Sequence, residues 1–172
     1  MIQEEFLDMC LERLQALTPL LEKRGYRLNL SPKEEKMRQG SLQKEGEKEP
    51  CCYFCFGFLT NPKFLVRHQL PTEGNDSYLK DKNFKVLSAL TPFGMTLYYV
   101  DKALILNGVV SLPFYSARSE EWTFPEEEIL SALVDAQDFL RTLVPYFKKE
   151  NPERKIPPYL EQYQSGRRKF LP

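Results

Sequence analysis

Phe6, Cys10, Leu14, Leu17 and Leu21 recur at three- and four-residue spacing. That spacing predicts an amphipathic helix over 2–24. Gly25 stands where a helix C-cap favours glycine, with Lys23 and Arg24 in the last turn. Pro19 removes one backbone hydrogen bond, so a kink or a split is expected there. The period then falls to two in Tyr26-Arg27-Leu28-Asn29-Leu30, a short strand. Residues 31–50 hold five basic and five acidic residues, no aromatic, and prolines near both ends. They read as a flexible, charged, solvated loop.

Residues 51–59 and 63–70 are strand candidates joined through the turn signal Asn61-Pro62. Residues 77–90 read as a short helix with Leu79, Phe84, Leu87 and Leu90 on its apolar side, ended by Thr91-Pro92. Further strands are expected at 95–100 and 103–112, with Asp101-Lys102 as the turn and Gly108 as a bulge or bend. A tight hairpin at Asn107-Gly108 is the competing reading. The clearest helix spans 124–149, with Pro125 at its first position and Glu126, Glu127 and Glu128 in its first turn. Ile129, Leu133, Ala136, Leu140 and Leu143 form its stripe.

The expected architecture is therefore α+β: an antiparallel sheet flanked by helices, in the order α-β-β-β-α-β-β-α. One domain covers 1–149. A Pro-containing basic tail, 150–172, is expected to be flexible.

Charge refines this picture. The chain is neutral overall, with 24 basic and 24 acidic residues. From Lys148 to Pro172 there are seven basic and three acidic residues, which leaves 17 and 21 for residues 1–147. An acidic body with a basic tail argues against nucleic-acid binding as the main task, because that task calls for a basic face on the folded part. Acids occupy the positions where a secretory leader carries basic residues, and no apolar run approaches the ~20 residues that span a bilayer. A cytoplasmic protein without membrane insertion is expected, with Cys10, Cys51, Cys52 and Cys55 reduced.

The densest chemistry lies at 51–58, where three cysteines and three phenylalanines share eight positions. Cys52 and Cys55 satisfy C-x-x-C. On a strand, residues three apart point to opposite faces, so these thiols would diverge. Cys51, Tyr53 and Cys55 fall on one face, and Cys52, Phe54, Phe56 and Phe58 on the other. The segment therefore reads as a strand buried on both faces or nearly so, with its cysteines as small hydrophobes. The alternative is a metal-binding or redox protein using Cys52, Cys55 and the single histidine, His68. No G-x-S-x-G, Walker loop, G-x-G-x-x-G or H-E-x-x-H is present, so neither enzyme activity nor a cofactor is expected.

Strands 52–59, 95–100 and 103–112 carry apolar groups on both faces. Helices can cover one face of such a sheet; the other meets a second subunit, a ligand or water. The order of elements resembles that of class I chaperones of bacterial type III secretion and of YbjN-like domains. It is most similar over 79–148, in "LSALTPFGMTLYYVDKALILNGVVSLPF" and "PEEEILSALVDAQDFLRTL", with 2–30 fitting the first helix and strand. The resemblance implies a non-enzymatic homodimer, part of a bacterial virulence system, that keeps a non-globular segment of a secreted effector competent for export. By position it places Leu79, Phe84, Leu87, Leu97 and Tyr99 at a dimer interface. It places Phe54, Phe56, Phe58, Phe64 and Val66 on the effector-binding surface.

Overall fold

The computed structural model describes residues 2–58, 61–73, 88–113, 123–148 and 157. Two helices open the chain, α1 (Gln3–Gln15) and α2 (Thr18–Lys23). Pro19 stands in the first turn of α2, where its missing N–H costs no bond, so the predicted split is where the proline requires it. Gly25 follows with φ +85° and turns the chain into β1 (Tyr26–Leu30).

Six more strands follow: β2 (Met37–Lys44), β3 (Cys52–Phe58), β4 (Pro62–Pro71), β5 (Ser88–Leu90), β6 (Thr96–Val100) and β7 (Ala103–Ser111). They form one antiparallel sheet in the order β1-β2-β3-β4-β7-β6-β5. A closing helical segment runs from α3 (Glu126–Leu130) through a π-helical turn at Ser131–Asp135 into α4 (Ala136–Leu143), with a 3-10 turn at Val144–Phe147. The chain is α+β, as its pattern predicted. Pro125 caps α3 rather than occupying its first turn. Of the predicted tail, only Pro157 lies within the described residues, and it is buried.

Three local readings are corrected. The segment 31–50 is not wholly a loop: 37–44 is a strand between β1 and β3. Its core-facing positions are Arg38, Gly40 and Leu42, so it shows no apolar alternation. Arg38 is buried, but its Nε donates to Asp8 Oδ1 on α1 at 2.8 Å, and its Nη1 donates to the Met37 and Glu34 carbonyls. Gly40 makes room for its neighbours: a Cβ there would stand 2.4 Å from the Asn29 carbonyl oxygen and 2.7 Å from the Phe54 ring.

The second correction concerns 77–90. Residues 77–87 lie outside the described residues, but Ser88–Leu90 is the strand β5, paired with β6. Thr91-Pro92 does not end a helix; it opens a hairpin. The Thr91 N–H donates to the Met95 carbonyl at 2.8 Å, its hydroxyl accepts from the Phe93 and Met95 amides, and Gly94 has φ +71°. The third concerns Gly108, which is no bulge. The β4–β7 and β6–β7 registers run on without an inserted residue. The β6–β7 turn is Asp101-Lys102, with φ 51° and 61°, the primed turn that suits strand twist. Gly108 lacks a side chain because Met95 occupies that space, 2.6 Å from where a Cβ would be.

Even-numbered residues of β1–β4 and β7 face the helices, as do Leu97 and Tyr99 of β6. Helix α1 packs on β2 and β3, and α4 packs on β4 and β7. Phe6, Leu7, Cys10 and Leu14 from α1 meet Phe54, Phe56 and Phe64, with Ile129, Leu133 and Leu140 completing the core. Phe56 and Phe64 rings lie 4.8 Å apart.

Removing one member of the Arg38–Asp8 pair leaves a buried charge unmatched. Asp8→Ala is expected to cost about 3 kcal/mol, read as a lowered urea midpoint with unchanged slope. A loss below the roughly 0.5 kcal/mol typical of a surface substitution would show that this pair does not anchor β2.

Candidate functional site

Cys52 and His68 are direct cross-strand partners on β3 and β4, and both are fully buried beneath the π-helical turn. Cys55 points to the opposite face, as strand alternation requires, so C-x-x-C does not converge. The Cys52 Sγ lies 3.9 Å from His68 Nε2. That contact does not make a nucleophile and its base. The ring nitrogens already have partners: Nε2 lies 2.6 Å from the Ala132 carbonyl oxygen, and Nδ1 lies 2.8 Å from the Gln137 side-chain amide nitrogen. The carbonyl can only accept and the amide nitrogen can only donate. His68 therefore carries its proton on Nε2, and its lone pair on Nδ1 is occupied.

The same amide nitrogen donates to the Cys51 carbonyl at 3.1 Å, and Gln137 Oε1 accepts from Arg141 Nε at 3.0 Å. Arg141 in turn grips Glu47 with two bonds, 2.5 and 3.1 Å. This chain of bonds ties α4 to the sheet and to the turn after β2. The π-helical turn coincides with the insertion of His68 toward the Ala132 carbonyl, a known cause of such local widening.

Burial pushes the Cys52 thiol well above its ordinary range, and Cys10 up to about 12. Burial pulls His68 down to about 4, against a smaller opposing effect of the Ala132 carbonyl. All three groups are neutral near pH 7. Among the described residues, no three His, Cys, Asp or Glu side chains are grouped so as to hold a metal ion. Chemically, the cluster is a satisfied polar core.

The residues assigned from the resemblance occupy the core as well. Phe54, Phe56, Phe64 and Val66 lie beneath the helices, each no more than 4% exposed. Phe58 is partly buried and meets Phe6 edge to face at 5.7 Å. Leu97 is fully buried, and Tyr99 stacks on Phe147 with ring centroids 4.7 Å apart. None of these seven is an open contact surface in the single chain. Apolar alternation marked the buried face correctly, but the chain's own helices cover it. Leu79, Phe84 and Leu87 lie outside the described residues.

The sequence pattern anticipated a second face without helices but did not name its residues. No described helix lies over it, so β3 is not buried on both sides. Tyr53 is 50% exposed and Val109 57%, and Met37 is exposed as well. A cleft of about 570 Å³ on this face is lined by Tyr53, Cys55, Leu65, Arg67, Asn107 and Val109 among others. Arg67 is exposed and makes no ion pair among the described residues. The signal was present in the sequence as the odd-numbered positions of β3 and β4.

The His68 environment predicts a pH dependence. Its folded pKa lies below the unfolded value of 6.5, so the unfolded chain takes up a proton first as pH falls. The stability linked to this neutral histidine is present above pH 6.5, declines toward about pH 4, and amounts to roughly 3 kcal/mol. His68→Gln should flatten urea midpoints between pH 6.5 and 4 relative to the parent chain. The His68 ring signals should show no titration above pH 5 by NMR; a midpoint near 6.5 would contradict the buried, neutral assignment.

No protein family, curated protein or solved structure matches this chain.

Proposed function

We propose that this chain is a non-enzymatic protein-binding module that holds an extended segment of another protein against the uncovered face of its sheet. One observation carries the reading: among the described residues, helices cover one side of the sheet only, and on the other Tyr53 and Val109 stand exposed at a cleft, with Met37 exposed as well. An exposed apolar surface rimmed by polar groups is what a partner covers. The groups that suggested catalysis or metal binding are meanwhile occupied in holding the core.

The finer form of the proposal is a cytoplasmic, homodimeric secretion chaperone whose partner is a non-globular effector segment. It rests on the resemblance over 79–148 and 2–30. Among the described residues, no helix is long and apolar enough to cross a membrane.

Substitutions on the two faces should separate binding from folding. Tyr53→Ser combined with Val109→Ser is expected to change stability by no more than about 0.5 kcal/mol per site. Phe56→Ala should cost about 3–5 kcal/mol. Native mass spectrometry of the protein from its own host should show a retained polypeptide that the double variant loses while staying folded. Retention of that polypeptide by the double variant would move the binding surface elsewhere. A parent chain that carries no polypeptide would remove the proposal.

A further inference from the structure

None of the 24 acidic residues lies in any of the seven strands. They sit in helices, turns and connections, and in the segments outside the described residues. The charged strand residues are Arg27, Arg38, Lys44, Lys63 and Arg67. Arg38 is buried and Lys44 lies over the Tyr26 ring, 4.4 Å from its centroid. Arg27, Lys63 and Arg67 project to the uncovered face. Its own strands therefore give that face three cations and no carboxylate; one carboxylate reaches it from the β1–β2 connection, where Glu34 accepts from Gln39 Nε2 at 3.2 Å. The helix layer on the opposite side carries Glu4, Glu5, Glu12, Glu126, Glu127 and Glu128 among its acids.

Arg67 sits in the middle of this face, because β4 is the fourth of seven strands. Its direct cross-strand neighbours are Tyr53 and Asn107, one aromatic and one amide. Leu65 and Gln69 flank it along β4. A guanidinium with neutral neighbours and an open cleft is a receptor for a carboxylate, which it can hold through two parallel hydrogen bonds.

We infer that the segment held on this face is acidic and apolar in alternation, with one of its carboxylates seated on Arg67. The inference rests on the reading of this face as a polypeptide-binding surface and adds the chemistry of the partner. Charge complementarity supplies the sign. The aliphatic groups Leu65 and Val109, which line the cleft, supply the apolar half, since they offer contacts for side chains rather than platforms for bases. A single-stranded nucleic acid shares the charge but needs successive aromatic surfaces, and Tyr53 is the large aromatic exposed by half or more among the described residues here. From β2 to β6 the path across the sheet is about 20 Å, room for roughly six extended residues.

The test is selection of a phage-displayed random dodecapeptide library against the full chain, followed by fluorescence anisotropy with the enriched peptide. Expected is enrichment of Asp and Glu interleaved with apolar residues. Arg67→Gln should weaken the peptide about fivefold, the upper range for an exposed ion pair. Arg67→Glu should weaken it further, Arg67→Lys should retain most of the binding, and Lys23→Gln on α2 should have no effect. Circular dichroism of each variant checks that it is folded. Enriched peptides that are basic or neutral, or that bind Arg67→Glu as well as the parent, would overturn the acidic partner while leaving a polypeptide-binding face in place. No enrichment of any peptide would remove both readings. An oligothymidylate that binds in preference to the peptide and competes for Arg67 would replace the polypeptide with a nucleic acid.

Discussion

Nine consecutive cross-strand pairs between β4 and β7, from Lys63 opposite Ser111 to Pro71 opposite Ala103, hold the two halves of this chain together. The first half is a meander, β1 to β4; the second is another, β5 to β7. Neither could bury its apolar face alone, since each would end in an open edge at the middle of the present sheet. The ladder also fixes which residues go where. Because side chains alternate, a slip of one residue would send Phe64, Val66, His68 and Leu70 to the uncovered side and Lys63, Leu65, Arg67 and Gln69 into the core. Both the packed interior and the candidate surface follow from that one register.

Polar contacts then fix the helices on the sheet. His68 reaches the Ala132 carbonyl, Gln137 spans His68 and the Cys51 carbonyl, and Arg141 connects Gln137 to Glu47. At the other end of the sheet, Asp8 meets Arg38. On the outside, Arg24 bridges Asp135 and Asp138, and the Tyr26 hydroxyl donates to Asp138 at 2.5 Å. Apolar packing alone is non-directional and would allow α1 and α4 to slide. Buried donors and acceptors do not allow it, because a shift would leave them without partners at a cost of several kcal/mol in sum. The histidine and the cysteines beside it are thereby explained as structure.

The net charge of zero conceals a division between layers. Among the described residues, acids gather on the helices and in the turns, while the strands contain none. Part of this is intrinsic: acids suit helix first turns and are disfavoured in strands. The consequence for binding does not depend on that origin. The strands put Arg27, Lys63 and Arg67 on one sheet face and contribute no carboxylate to it, even though residues 1–147 as a whole carry an excess of acids. A sum of charges along the chain could not have shown this, because it mixes residues that the fold separates by the thickness of a layer.

The sequence by itself determined the helix–strand identity of the strongly periodic segments. The first helix and its split at Pro19, strands β1, β3, β4, β6 and β7, and the final helix were all legible, since hydrophobic period and proline act locally. The divergence of Cys52 and Cys55 was legible for the same reason, being a property of any strand. Strand β2 was not, because Arg38 and Gly40 fill its core positions and are acceptable there only through Asp8 and the Phe54 ring, which belong to other elements. Nor could Ser88–Leu90 be recognised, since a three-residue strand takes its identity from pairing with β6. The tertiary structure alone decided that Phe54, Phe56, Phe64, Val66, Leu97 and Tyr99 are covered by the chain's own helices. It alone left Tyr53, Arg67 and Val109 in the open. Alternation along a strand divides residues between two faces, but which face is covered depends on where distant helices pack.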